Sequence, residues 1–152
     1  MALWFECKVR FDKMMENGSV KRVTEPYLVD ALSFTEAEAR IIGEVRPFIS
    51  GEFSIPAIKK TNIAEIFPDD SADKWWLVKF NVITIDEKSA KERRAPVYVM
   101  VQANSQQAAT DRFNEGMKVS MADFEIEKVA ETKIMDVYPA KQSPHETGKA
   151  DG

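Results

Sequence analysis

Two tryptophan–lysine pairs recur in this chain at one spacing: Trp4 with Lys8 in "WFECKVRF", and Trp75 with Lys79 in "WWLVKFNV". Side chains four residues apart on a strand point to the same side. An indole face can stack a base while an ammonium group neutralises the neighbouring phosphate, which is how single-stranded nucleic acid is held. Arg10 extends the first set and Asn81 the second. The candidate binding face is therefore Trp4, Lys8 and Arg10 with Trp75 and Lys79. The competing reading is packing: each Trp covers a sheet end or lies against the other half of the chain, because large aromatics mostly serve the interior.

Further cations sit in polar turn segments: Lys21 and Arg22 in "SVKRV", and Lys88, Lys91, Arg93 and Arg94 in "EKSAKERRA". Basic two-stranded arms can follow a phosphate backbone or enter a groove. Glu16, Asp86, Glu87 and Glu92 dilute the same tips, so a solvated turn is the alternative.

Other chemistry is poorly supported. His145 is the only histidine and lies in "KQSPHETGKADG", residues 141–152, a polar segment that reads as a disordered tail. A Ser-His-Asp or Cys-His apparatus is then not expected in the folded part. Cys7 is the only cysteine, which rules out an internal disulfide and a multi-thiolate zinc site. No GxGxxG or GxxxxGK[ST] pattern occurs among the six glycines. Asp69, Asp70 and Asp73 cluster without the spacing of a calcium loop. No catalytic residue, metal ligand or cofactor is expected. A carboxylate-based enzyme is the third and weakest functional reading, because no paired acids recur in both halves.

The residues that could do chemistry must be positioned by elements that repeat. "FSIPAIKKTNIAEIFP" at 53–68 matches "FEIEKVAETKIMDVYP" at 124–139 with an offset of 71, and the offset carries back without a gap to Trp4 and Trp75. On that offset Arg22 meets Arg93, and the S-x-x-E capping box of Ser33 and Glu36 meets Asn104 and Gln107. Each half reads β-β-α-β. The first strand alternates Phe5, Cys7, Val9, Phe11 against Trp4, Glu6, Lys8, Arg10. A hairpin follows, with the Asn17-Gly18 turn signal in the first half. Pro26 and Pro96 mark an edge or bulge in the second strand. Helical stripes follow at Ala37, Ile41, Val45 and at Ala109, Phe113, Met117; Pro47 ends the first helix and Gly116 weakens the end of the second. The third strand carries apolar residues on both faces, so it is central, kinked or bulged.

The expected architecture is α+β: a tandem duplication of a ββαβ unit, repeat 1 at 4–68 and repeat 2 at 75–139, joined by the linker 69–74. The two form one pseudo-two-fold domain over residues 1–140, because one unit alone buries too little surface. Composition is that of a globular chain, with a net charge of −4 that argues against wholesale nucleic-acid binding but permits a local basic patch. No run reaches the roughly 20 apolar residues that span a bilayer, and "MALWFECKVRF" is too soon charged for a signal peptide. A cytoplasmic protein without membrane contact is expected.

The segments "VTEPYLVDALSFTEAEARI" (23–41), "WFECKVR" (4–10) and "IMDVYP" (134–139) resemble a family of small bacterial and bacteriophage proteins catalogued only as a domain of unknown function. The resemblance implies a bacterial or phage source and brings no activity. Two functions remain. One is a non-enzymatic binding module that contacts single-stranded nucleic acid through Trp4, Lys8, Arg10, Trp75, Lys79 and the hairpin cations Lys21, Arg22, Lys91, Arg93 and Arg94. The other is an accessory or structural protein that uses the Trp face as a partner or homo-oligomer interface.

Overall fold

A computed structural model describes residues 3–140; the expected tail, 141–152, lies outside the described residues. The fold is α+β, with two helices and two four-stranded sheets among those residues. In the first half, β1 (Trp4–Met14) and β2 (Val20–Asp30) form a long hairpin, followed by α1 (Phe34–Val45), β3 (Phe53–Lys60) and β4 (Ile63–Phe67). The second half repeats that order with β5 (Trp75–Ile85), β6 (Glu92–Gln102), α2 (Gln106–Met117), β7 (Asp123–Glu131) and β8 (Val137–Tyr138).

Each half thus reads ββαββ rather than ββαβ, because the third strand breaks. At each break a threonine turns the chain. Thr61 donates its N–H (2.9 Å) and its hydroxyl (2.8 Å) to the Trp4 oxygen, and Thr132 does the same to the Trp75 oxygen at 2.9 Å and 2.9 Å. Each hydroxyl then accepts from the N–H two residues on, Ile63 or Ile134. Two main-chain-like bonds to one carbonyl satisfy the backbone while changing its direction. Beyond the break the strands exchange. The sheet orders are β3-β1-β2-β8 and β4-β6-β5-β7, so each half's last strand pairs, in parallel, with the other half's second strand. The exchanged strands begin to pair only at Leu28 and Tyr98, so Pro26 and Pro96 sit where their missing N–H is not needed, although β2 and β6 are interior strands.

The halves are not related by one gapless offset. β1 and β5 pair with β3 and β7 in registers 71 apart, but β2, β6 and the helices stand 72 apart. The cause is one extra residue in the second hairpin turn, 86–91 against 15–19, returned in the loop after the helix. Arg22 therefore corresponds to Arg94, which faces Ile83 as Arg22 faces Asp12. The cap of α2 is Ser105, whose oxygen accepts from Ala108 N–H at 3.1 Å as Ser33 accepts from Glu36 at 3.1 Å. Asn104 instead accepts from Asp73 N–H. Gly116 also has a packing role: a Cβ there would lie 2.8 Å from the Phe67 ring, so the glycine lets α2 approach β4.

Three apolar clusters order the layers. Phe5, Cys7 and Val9 meet Ala37, Ile41 and Val45 of α1 on the outer face of the first sheet. Trp76, Val78 and Phe80 meet Ala109 and Phe113 of α2 on the outer face of the second. The inner faces join through Trp4, Leu28, Trp75 and Met100. The layers therefore run α1, sheet, sheet, α2. Each fully buried aliphatic or aromatic side chain contributes about 1.5–3 kcal/mol.

Candidate nucleic-acid interface

Alternation places the two Trp–Lys sets on the inner sheet faces, but the sets divide. Trp4 and Trp75 are 6% and 4% exposed and form the seam between the sheets, so neither presents its ring to solvent. The packing reading describes them. Lys8 and Arg10 lie further along β1, both exposed.

Beyond the seam the inner faces part into a cleft. One cavity of about 420 Å³ is lined by Lys8, Thr24, Thr132 and Lys133 above a floor of Leu28, Ile63, Leu77, Met100 and Ile134. An adjoining cavity of about 530 Å³ shares Glu6, Ile63 and Leu77 with it and adds Lys59, Lys60, Thr61 and Asn62. Four exposed cations line this region, Lys8, Lys59, Lys60 and Lys133, and a fifth, Arg10, reaches the lining residue Thr24. Among the described residues none of them is in an ion pair. Arg10 makes only a 3.4 Å contact to the Thr24 hydroxyl.

The second half treats its cations differently. Lys79 Nζ lies 2.9 Å from Glu127 Oε2, and that hydrogen-bonded carboxylate holds the Lys79 ammonium above its usual range. Asn81, in Arg10's place, donates to the same Glu127 at 3.1 Å. A β-bulge explains the difference. β7 carries its extra residue, Glu127, opposite Lys79 and Phe80, and β3 is irregular at the corresponding place, between the partners of Lys8 and Arg10. There the first half has Pro56, tolerated because β3 is an edge strand. Proline offers Lys8 no counter-charge.

The hairpin cations also separate. Arg22 pairs with Asp12 at 3.1 Å, Arg93 with Asp86 at 3.2 Å, and Arg94 with Glu125 at 2.7 Å and Glu92 at 3.1 Å. The Glu125 contact raises the Arg94 guanidinium further above its usual range. Lys21 and Lys91 are in no ion pair among the described residues. The structure thus keeps Lys8 and Arg10 from the expected face at the cleft and joins to them Lys59, Lys60 and Lys133, which sequence reasoning passed over. Their only sequence signal was a lysine pair ending the third strand and a lysine after Thr132. Among the described residues no group of three or more His, Cys, Asp and Glu side chains is arranged to hold a metal ion.

The chain is thus a mixed α+β protein with exchanged edge strands and an open, cation-bordered cleft. It belongs to the family described as Domain of unknown function (DUF4494), whose family model matches residues 3–140. Searches of the curated proteins and of the solved structures found no match. No helix among the described residues is long and apolar enough to cross a membrane.

Proposed function

We propose that this chain is a non-enzymatic binding module for single-stranded nucleic acid, using the cleft between its sheets. The observation that carries the reading is the gathering of Lys8, Arg10, Lys59, Lys60 and Lys133, unpaired among the described residues, in a chain of net charge −4. Lysines with no carboxylate partner release counterions on meeting phosphate at little competing cost. The half-buried Ile63, Leu77 and Ile134 offer base faces an apolar surface. The tryptophans support the cleft from beneath. In the same reading the chain is a tandem duplication whose halves form one pseudo-two-fold domain over residues 1–140, working in the cytoplasm of a bacterium or an infected one.

The test is anisotropy of a fluorescent oligothymidine, and of an RNA of the same length, titrated with the full chain at low salt. Micromolar binding is expected, weakened at least tenfold in the triple variant Lys8→Ala, Lys59→Ala, Lys133→Ala. No binding of either strand at low salt sinks the proposal.

A second reading, a protein-interaction or self-assembling accessory protein, draws on the hairpin tips. Met14 and Val20 are 72% and 62% exposed on the first hairpin and Ile85 is 70% exposed on the second. These tips, rather than the tryptophans, would form the interface. Light scattering at high concentration should then show a dimer or larger species that Met14→Ser with Ile85→Ser disperses.

A further inference from the structure

One carboxylate stands in the cationic cleft. Glu6 lines both of its cavities, and of the described residues lining them it alone is acidic. It is half-buried on β1, on the strand face that also carries Trp4 and Lys8. Lys59 stands opposite it in the β1–β3 register, and Lys8 lies two residues on. Even so, Glu6 is in no ion pair among the described residues.

The fold does not call for an acid at this place. Glu6 pairs with Lys59 on β3 as Leu77 pairs with Ala130 on β7, so the matching position of the second half holds a leucine. Leu77 lines the same two cavities. In a phosphate-binding cleft a carboxylate lowers the affinity for every strand by like-charge repulsion. What it adds is discrimination among strands.

The bases differ in what they bring to it. An ionised carboxylate only accepts, through two oxygens. The Watson–Crick edge of guanine carries N1–H and N2–H side by side, two donors for two oxygens. Adenine and cytosine set a ring-nitrogen acceptor beside the amino group. Thymine and uracil set carbonyl oxygens on both sides of N3–H. An open carboxylate is hydrated, and a base that displaces this water with acceptors leaves the charge without donors. The half-buried Ile63 and Leu77, which line both cavities, give the face of the base apolar cover.

We propose that Glu6 selects guanine in the bound single strand. Its two carboxylate oxygens accept from guanine N1–H and N2–H while the cleft lysines hold the neighbouring phosphates. This inference rests on the reading of the cleft as a single-strand site and names the base that the site prefers.

The test compares oligothymidine probes of one length whose central base is thymine, guanine, adenine, cytosine or hypoxanthine, by anisotropy with the full chain at low salt. A bidentate base contact discriminates by roughly 5- to 150-fold, so the guanine probe should bind at least about fivefold more tightly than the all-thymine probe. Hypoxanthine, which is guanine without its N2 amino group, should lose most of that advantage. Glu6→Gln should tighten binding of the all-thymine probe, because a like charge is gone, and bring the guanine-to-thymine ratio near one. Three outcomes overturn the proposal: equal binding of the guanine and thymine probes, hypoxanthine as good as guanine, and an undiminished ratio in Glu6→Gln. In each of these the strands still bind, so the cleft reading stands and the role of Glu6 alone falls. Failure of every probe to bind would remove both.

Discussion

Arg40 on α1 donates to the carbonyl oxygen of Pro139, 3.0 Å away and 99 residues later in the chain. The same guanidinium donates to the oxygens of Tyr138, at 3.3 Å, and Asp30. Arg112 on α2 reciprocates by donating to the Pro68 oxygen at the end of β4. Each helix therefore clamps the strand that arrives from the other half. A lysine has no planar fork to spread over three carbonyls. Arg40→Lys should lower stability by about 1–3 kcal/mol in urea unfolding. Arg112→Lys, which gives up a single exposed contact, should cost less. Equal and negligible losses would show that the exchanged strands need no clamp.

Trp4 and Trp75 join the two inner faces. Removing either ring should leave a cavity at the seam and cost about 3–5 kcal/mol, the range for large-to-alanine changes in a core. Trp4→Ala and Trp75→Ala should thus shift the urea midpoint strongly. A surface ligand-binding role would instead predict an unchanged midpoint.

The two helical glycines should respond oppositely to alanine. Gly43 on α1 has nothing within 4 Å of an added Cβ, so Gly43→Ala should stabilise by about 0.5–1 kcal/mol. Gly116→Ala gains the same propensity, but its Cβ meets the Phe67 ring at 2.8 Å, and overpacking costs about 1–3 kcal/mol. Thermal unfolding should rise for the first and fall, or at best stand still, for the second.

The bulge residue should tune nucleic-acid affinity. Pro56→Glu places beside Lys8 the carboxylate that Glu127 gives Lys79. It should weaken oligothymidine binding several-fold and reduce the salt slope by about 0.7, the value of one single-strand phosphate contact. Glu127→Gln should free Lys79 and act in the other direction. Matching effects of the two changes would remove the lysines from the interface.

Alkaline pH should destabilise the fold through Cys7. The thiol is fully buried, and that burial, with the Glu6 charge adding to it, pushes its pKa from 9.0 up to about 12. Its folded pKa is raised, so the folded state holds the proton that the unfolded state has lost. The stabilisation is whole below about pH 9 and is lost progressively as pH climbs toward 12. Tyr138, pushed up to about 12 chiefly by burial, and Tyr27, raised further by burial and Glu25, act in the same direction above pH 10. Urea unfolding between pH 8 and 10 should show stability falling, and Cys7→Ala should flatten the early part of that fall. The native thiol should react with a disulfide reagent far more slowly than the unfolded one.

Much of the scaffold was legible in the residues. Phe5, Cys7 and Val9 alternate and are buried; Ala37, Ile41 and Val45 recur at helical spacing and are buried. Ser33 caps α1 as its spacing with Glu36 implies. The candidate site was half legible. Lys8 lines the cleft and Arg10 reaches its Thr24, whereas Trp4 and Trp75, on the same strand faces, are covered by the opposing sheet. Alternation tells which side of a strand a residue occupies; it does not tell how far along that strand another layer reaches.

Local order in this chain was set by short-range terms that the sequence carries: alternation in strands, 3.6-residue periodicity in helices, hydroxyl caps and the Asn17-Gly18 turn. The tertiary structure alone decided that β4 and β8 change sheets, that Arg40 and Arg112 hold them there, and that Lys79 meets a carboxylate while Lys8, among the described residues, does not. Ile63–Phe67 has the same periodicity whichever sheet it joins. The choice rests on which arrangement buries both tryptophans and satisfies both edges at once, and those contacts lie tens of residues apart.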